Sequence, residues 1–547
     1  MLKPIANKIK AMLVPDKFEQ HQLIAQHLQP LNAESLMKAC LQWFVDLREH
    51  QNLTPMQQLK CIYVIDELSQ KAITEMTEKR MRIKLYNRDK GAEMDALMNP
   101  YYRHLFLAYW DFVELVAVES KVFKLDSEAL SLLVCRTLNA ANNMAMWRYF
   151  DDFAAPADTW SKIHYLFKMA EKSTLMNERV MLYPESSQAT DFASLMVGGL
   201  MLSTLQKGNY NPVEIHIVSK LMADWVTSST FETHYVENKY QFFVNLNKDD
   251  GAEHIRAFEK HADYRYWRTD YLAERIEAIL VAISTGVLPK THPIKEYANT
   301  RILYTLLKKL NQDWSPKHYK RQRRAAVRTK LDQQLRVTTG LPQICKQLNA
   351  FNKRLTKQPA SAPVNNYDFI SFDEAGKVLM GLDEWALLDI SEYGFGVNLG
   401  RAPSAWVGVG KLVGFPHPTD TAQYVIAEIK SIKKQKNGSY RAGLQSLCLQ
   451  SLALRLIKVD SAQVELSKGF YLENEDDLDH YQNIDCVWIP ANELHLQLKS
   501  SVIIPFSEYQ RNREFKIDLH GENKRLVLGH AIEVQTEWVR AAIAAIH

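Results

Sequence analysis

Cysteine is sparse and scattered. Cys40, Cys61, Cys135, Cys345, Cys448 and Cys486 form no C-x-x-C pair and no zinc-type spacing, which argues against a disulfide framework or a structural zinc centre. Long apolar runs are missing as well. The most apolar stretches, LAYWDFVELVAV at 107–118 and AILVAISTGVLP at 278–289, are short or interrupted by acids, so no segment reads as membrane-spanning. The opening residues, MLKPIANKIKAMLVPDKF, lack the continuous apolar core of a secretory signal, and a reduced cytoplasm is the expected compartment. Charge of one sign is not in excess either. A net charge of +4 over 547 residues makes no global demand for a polyanionic partner, so any basic site must be local. No P-loop, G-x-S-x-G elbow or H-E-x-x-H motif occurs. The expectation is a protein with no catalysis and no metal.

What is present divides into two styles. The length suits about three or four domains with at least one large core. Residues 1 to about 313 read as successive helices. In LNAESLMKACLQWFVDLREH the pairs Leu36/Met37, Cys40/Leu41 and Phe44/Val45 recur every four residues and make one apolar stripe. Thr54-Pro55 looks like an N-cap followed by proline at the first helical position. Similar stripes return through 101–120, 127–149, 190–206, 212–226 and 270–286. An all-helical domain over 1–313 is therefore expected. The histidines His254 and His261 share a helix face on this reading, without a third ligand nearby to make a metal site. Tyr264, Tyr266, Trp267 and Tyr271 read as aromatic packing between helices.

The pattern changes near Trp314-Ser315-Pro316. Beyond it, short apolar runs alternate with turn signals. In TAQYVIAEIKSIKKQKNGSYRAGLQSLCL, two strand-like runs flank Asn437-Gly438, the signature of a hairpin with a type I′ turn. WALLDI (385–390) and WVGVGKLVGF (406–415) read as further strands of a small antiparallel sheet or barrel over 314–455. A helical insertion interrupts it at about 340–365: LPQICKQLNAFNKRL places Ile344, Leu348, Phe351 and Leu355 at helical spacing, and TKQPASAPVNN follows as a linker. A further β-rich unit is expected over 456–547, with VELSKGFYL, LHLQLKSSVIIPF and KRLVLGHAIEV as strands and EWVRAAIAAI as a closing helix.

Two short patterns carry chemistry. From Pro316 to Lys330 there are seven Lys or Arg and no acid, and Arg324-x-x-x-Arg328 lies within that run. Such a run suits phosphate contacts, but it also describes a solvated connector, and RxxxR should arise roughly once by chance in a chain of this length. The second pattern is Asp389-x-Ser391-x-x-Gly394 in LLDISEYGFGV, which by itself suits an ordinary turn. Taken together, in this order and in a small β-domain, they resemble the PilZ domain, a six-stranded barrel that binds cyclic di-GMP. The resemblance covers roughly residues 315–450. WVGVGKLVGF, VIAEIKSIKK and GSYRAGLQSL look like the family's later strands. Asp389 lies 61 positions after Arg328, farther than is usual in that family, and the helical insertion accounts for the extra length.

The resemblance implies that Arg323, Arg324, Arg328, Asp389, Ser391 and Gly394 bind cyclic di-GMP. The fork of an arginine matches the O6/N7 edge of guanine and the oxygens of a phosphate. Asp389 accepts from the Watson–Crick N–H donors of guanine, Ser391 adds a hydrogen bond, and Gly394 lets the loop approach the ligand. Arg323, directly before the RxxxR pattern, points to an intercalated pair of ligands. The helical domain is expected to contact an unidentified protein partner, with motility, pili or exopolysaccharide as the regulated process. Two echoes of cyclic di-GMP hydrolases, E-A-L at 128–130 and D-D-F at 151–153, are too close together for that family's order and read as helix-surface coincidences. No G-G-D-E-F cyclase pattern occurs. Two alternatives stay open: a nucleic-acid-binding protein using the 316–330 run, and a barrel that only mediates contacts.

Overall fold

The computed structural model describes residues 20–547 except 50–52, 84–87, 119–122, 152, 206–208, 238, 256–260, 291, 297–299, 319–327, 358–381, 402, 405, 421, 436, 459–482, 492–499, 520–521 and 536. It divides into a helical unit, reaching residue 298 and including 306–320, and a barrel unit of 299–305 and 321–547.

The helical unit runs through α1 (Gln20–Leu28), α2 (Ala33–Glu49), α3 (Pro55–Arg82), α4 (Arg88–Val118), α5 (Ser127–Phe150), α6 (Thr159–Lys172), α7 (Phe192–Ser203) and α8 (Pro212–Trp225). The stripe in α2 is buried at Leu36, Met37, Cys40, Trp43 and Phe44. At the start of α3 the expected cap is a full capping box. The Thr54 hydroxyl accepts from the Gln57 amide, and the Gln57 side chain accepts from the Thr54 amide. A polar group sits deep in the bundle, where Asp66 accepts from the Tyr109 hydroxyl at 2.7 Å and the Arg136 guanidinium donates to Glu67 at 2.6 Å. Burial pushes the Asp66 carboxyl up to about 6.

The region to 313 is not all helical. Three short strands, β1 (Phe242–Asn245), β2 (Glu253–His254) and β3 (Tyr264–Trp267), form a sheet in the order β2-β1-β3. His254 therefore lies on a strand and His261 in the loop before β3, on no common helix face. Of the aromatic run, Tyr264, Tyr266 and Trp267 lie on β3, where Phe242 stacks on Trp267 across the β1–β3 pair, and Tyr271 lies on the helix that follows. Alternating aromatic side chains fit a half-buried pleat better than a helix face. Then come α9 (Asp270–Ser284) and α10 (Thr300–Trp314), whose last residue, Trp314, is buried and donates to the Thr204 hydroxyl at 3.0 Å. The change of pattern read at Trp314 is a real helix end.

The barrel unit holds two closed six-stranded antiparallel barrels. The first comprises β4 (Thr329–Thr339), β5 (Leu382–Ser391), β6 (Gly394–Asn398), β7 (Leu412–Pro416), β8 (Tyr424–Lys434) and β9 (Tyr440–Cys448), in the order β4-β5-β6-β9-β8-β7. The second comprises β10 (Leu452–Lys458), β11 (Asn483–Ile489), β12 (Ser501–Pro505), β13 (Glu514–Leu519), β14 (Glu522–Val534) and β15 (Trp538–Ile546), in the order β10-β11-β12-β15-β14-β13. Shifting every number of the first order by six gives the second, so the two barrels share one topology. Residue 455, placed between domains by sequence, falls inside β10.

Three sequence expectations change here. EWVRAAIAAI is not a helix but β15, which pairs with β12 on one side and β14 on the other. Its alanines favour a helix locally, yet the segment lies between β12 and β14, closes the barrel and satisfies both neighbouring strands. In WVGVGKLVGF only Leu412 onward is strand, and Trp406 instead stacks on Trp385, 5.6 Å between ring centres. The Asn437-Gly438 hairpin is present, but it is not type I′. The Gly438 amide donates to the Gln435 carbonyl at 2.9 Å, so the turn closes one residue before a type I′ turn at Asn437-Gly438 would. Gly438 has φ of +83°, and the Asn437 side chain accepts from the Ser439 amide at 3.0 Å.

The insertion is α11 (Leu341–Lys357), between β4 and β5. Its buried stripe of Leu341, Ile344, Cys345, Leu348 and Phe351 shares one apolar cluster with Leu412, Tyr424 and Ile426 of the first barrel and Val487, Ile489, Ile503 and Trp538 of the second. It cements the barrels together. The linker after residue 357 and the expected strand VELSKGFYL lie outside the described residues.

Candidate functional site

The site begins with a break in strand phase. Trp385 and Leu387 of β5 point into the first barrel, among its buried core. Strict alternation would send Asp389 inward too. Pairing with β6 instead skips Leu388: Leu387 sits opposite Val397, but Asp389 sits opposite Gly396. The bulge reverses the phase, so Ile390 packs on the core and Asp389 takes the outer face.

On that face two arginines meet one carboxylate. Asp389 Oδ1 accepts from Arg328 Nη1 and Oδ2 from Arg441 Nη2, both at 2.5 Å. Register explains the first contact across 61 residues: Lys330 of β4 pairs with Asp389, and Arg328 stands just before that strand. It explains the second as well. Arg441 lies opposite Asn398, one pleat from the Gly396–Gly443 pair, where β9 faces away from the core. The Asp389 side chain is 11% exposed, against 37% for Arg328 and 46% for Arg441. Two guanidiniums against one carboxylate leave the cluster with a surplus positive charge, which suits an anion.

The floor beside this cluster has no side chains. Gly396 and Gly443 face each other across β6 and β9. A Cβ on Gly396 would lie 2.6 Å from Asp389 Oδ1, and one on Gly443 would lie 2.9 Å from the Ser431 hydroxyl. Glycine is what lets the carboxylate lie flat over β6. The result is a shallow shelf with a fixed acceptor, two fork-shaped donors and a hydroxyl at its edge, fit for a planar ring carrying adjacent donors and an anionic group.

Of the six residues singled out by sequence, Arg328, Asp389, Ser391 and Gly394 fall among the described residues. Arg328 and Asp389 are in direct contact. Ser391 is one pleat along β5, and its hydroxyl donates to the Gly394 carbonyl at 3.1 Å across the tight β5–β6 turn. What Gly394 permits is an approach to β9, since a Cβ there would sit 2.4 Å from the Leu444 carbonyl oxygen. Arg323 and Arg324 lie outside the described residues. Sequence reading missed Arg441, Gly396 and Gly443. The available signals were isolated glycines within strand-like runs, which often mark a close approach, and the register of the Asn437-Gly438 hairpin.

The second barrel uses the equivalent face differently. On β11, β12 and β15 the outward residues Val487, Ile489, Ile503 and Trp538 are apolar and are buried against α11 and the first barrel. One topology thus serves two purposes, an open polar shelf on one copy and a docking face on the other.

Residues 20–234 match the family model of the cyclic-di-GMP receptor FimW, N-terminal domain. The helical unit is thus similar to the N-terminal domain of a cyclic-di-GMP receptor, over less than half of the whole chain. No curated protein matches the chain. Among the described residues, no helix is long and apolar enough to cross a membrane.

Proposed function

We propose that this chain is a cyclic di-GMP receptor without catalysis of its own, and that its first barrel is of the PilZ type. The carrying observation is the outer-face cluster of Arg328, Asp389 and Arg441 beside the Gly396–Gly443 floor. Its acceptor suits the N1–H and N2–H donors of guanine, its arginines suit phosphate and the O6/N7 edge, and the glycine floor suits a flat base. The similarity of the helical unit to a cyclic-di-GMP receptor's N-terminal domain supports the same ligand from a separate part of the chain. Arg323 and Arg324 act with Arg328 from the segment ahead of β4, and Ser391 and Gly394 shape the turn. An intercalated pair of ligands is the stoichiometry that Arg323 suggests.

Ligand binding recruits Arg328 away from its contact with Asp389 alone and into contact with the messenger. The change alters how the segment before β4 is held, and this passes to a protein partner through the helical unit, in a process such as motility, pili or exopolysaccharide production. Such coupling requires the ligand to contact the two arrangements differently.

Titration calorimetry with cyclic di-GMP tests the reading. Wild-type protein should bind in the micromolar range or tighter, and Asp389→Ala should abolish binding. Absence of heat with wild-type protein overturns the proposal. A nucleic-acid reader would instead lose affinity steeply with salt and depend on Lys317 and Lys320 as much as on the arginines.

A further inference from the structure

The two arginines on Asp389 are anchored unequally. Arg328 stands before the first residue of β4, so no strand pairing fixes its backbone. Arg441 lies inside β9, opposite Asn398 of β6 and Lys433 of β8. Each holds a different oxygen: Arg328 takes Oδ1 and Arg441 takes Oδ2. A carboxylate oxygen can accept more than one hydrogen bond, so Arg441 can keep Oδ2 while a ligand donates to both oxygens. Gly396 leaves the carboxylate free to lie across β6, because a Cβ there would meet it at 2.6 Å. Among the described residues, no side chain on the floor side fixes its plane. Arg441 does.

We infer that Arg441 is a positioning residue that sets base specificity. It holds the Asp389 carboxylate in the plane where both oxygens face the paired N1–H and N2–H donors of guanine. Arg328 is the exchangeable partner that the ligand draws off, and Arg441 is the fixed one. The inference rests on the cyclic di-GMP reading and adds to it a residue outside the RxxxR and DxSxxG patterns. The chemistry separates bases cleanly. Guanine offers two adjacent donors to a bidentate acceptor, and hypoxanthine lacks the exocyclic amine and offers one. A carboxylate held in plane rewards the second donor, and one free to rotate gains little from it.

The test measures affinities of the full chain for cyclic di-GMP and for its inosine analogue, cyclic di-IMP, by calorimetry. The proteins are wild type, Arg441→Gln, Arg441→Lys and Asp389→Ala. Wild type should favour cyclic di-GMP by roughly tenfold or more, the worth of one hydrogen bond to a charged group. Arg441→Gln should weaken cyclic di-GMP by roughly 10- to 100-fold and bring the two affinities close together. Arg441→Lys, which restores the charge, should recover part of the preference. A merely structural role would weaken both ligands equally and leave their ratio unchanged, and that outcome overturns the inference while sparing the receptor reading. So does an Arg441→Gln protein that binds both ligands like wild type. Wild-type protein that binds neither ligand overturns the receptor reading and this inference with it. An unchanged thermal transition for Arg441→Gln verifies that the barrel is intact.

Discussion

Asp389 and its neighbours show how much one residue's environment decides. A carboxylate with a side chain only 11% exposed tolerates that position because two guanidiniums satisfy it. Arg328→Lys keeps the charge but loses the planar fork, and should lower cyclic di-GMP affinity by roughly tenfold or more in calorimetry. Gly396→Ala and Gly394→Ala separate binding from folding. The methyl at 396 meets the Asp389 carboxylate at 2.6 Å and pushes it off the plane its arginines hold, so ligand affinity should fall while urea unfolding shifts less than for a clash with backbone. The methyl at 394 meets the fixed Leu444 carbonyl at 2.4 Å, so unfolding should show a loss of about 1–3 kcal/mol from forced backbone shifts. The Asp389, Ser391 and Gly394 pattern was visible in the chain, and so was Arg328. Arg441 was not, because its meaning depends on a strand pairing 52 residues away from Asp389.

At the scale of elements, local signals succeeded where one element contains its own reason. The Thr54–Gln57 capping box is such a case, and Thr54→Ala should cost about 1 kcal/mol in the melting of the helical unit. The helix α11 was legible from its apolar spacing, although its role between two barrels was not. β15 failed because its alanine-rich composition speaks for a helix and its two partner strands speak louder. Trp538 shows what those partners gain. It is 2% exposed and donates from its indole nitrogen to the Gly410 carbonyl of the other barrel at 2.9 Å. Trp538→Ala should destabilise the barrel pair by about 3–5 kcal/mol, read by denaturant unfolding. Trp538→Phe should keep most of the apolar contact and forfeit only about 1 kcal/mol, that of the hydrogen bond.

At the scale of the molecule, the two barrels meet over an ionic seam as well as an apolar one. Lys430 of β8 donates to Glu428 at 2.6 Å and to Glu533 of β14 at 2.8 Å, and Gln535 donates to Glu428 at 2.9 Å. One ammonium serves a buried carboxylate, Glu428, and a half-buried one, Glu533. Burial holds the Glu428 carboxyl well above its ordinary range. Burial acts on Glu533 in the same direction, but the Lys430 ammonium, a hydrogen bond from Glu428 and the Arg540 charge together outweigh it and bring that carboxyl below its ordinary value. A carboxyl raised on folding keeps more protons in the folded state, so its contribution is complete below the unfolded value of 4.5 and is lost as pH rises toward the folded one. Glu533, lowered on folding, contributes a slope of the opposite sign that fades as pH rises above its unfolded value of 4.5. Stability of the barrel pair should therefore fall from about pH 5 to about pH 8, and Glu428→Gln should flatten the decline in thermal melts. Asp66, raised to about 6 in the helical unit, adds its own slope at the acid end, so the difference between wild type and Glu428→Gln is the quantity that isolates the seam.

Sequence by itself determined the helical character of the first half, the turn to β-structure after Trp314, the helical insertion and two halves of one candidate site. Those are local matters of periodicity, capping and turn chemistry, and the chain carries them within a few residues. Only the tertiary structure decided that the β-half closes into two barrels of one order, that a bulge at Leu388 turns Asp389 outward, and that Arg441 joins Arg328 on its carboxylate. It also decided that the matching face of the second barrel is buried under α11. Strand pairing sets the first three and the packing of α11 sets the fourth; both join residues far apart in sequence, where no local preference reaches.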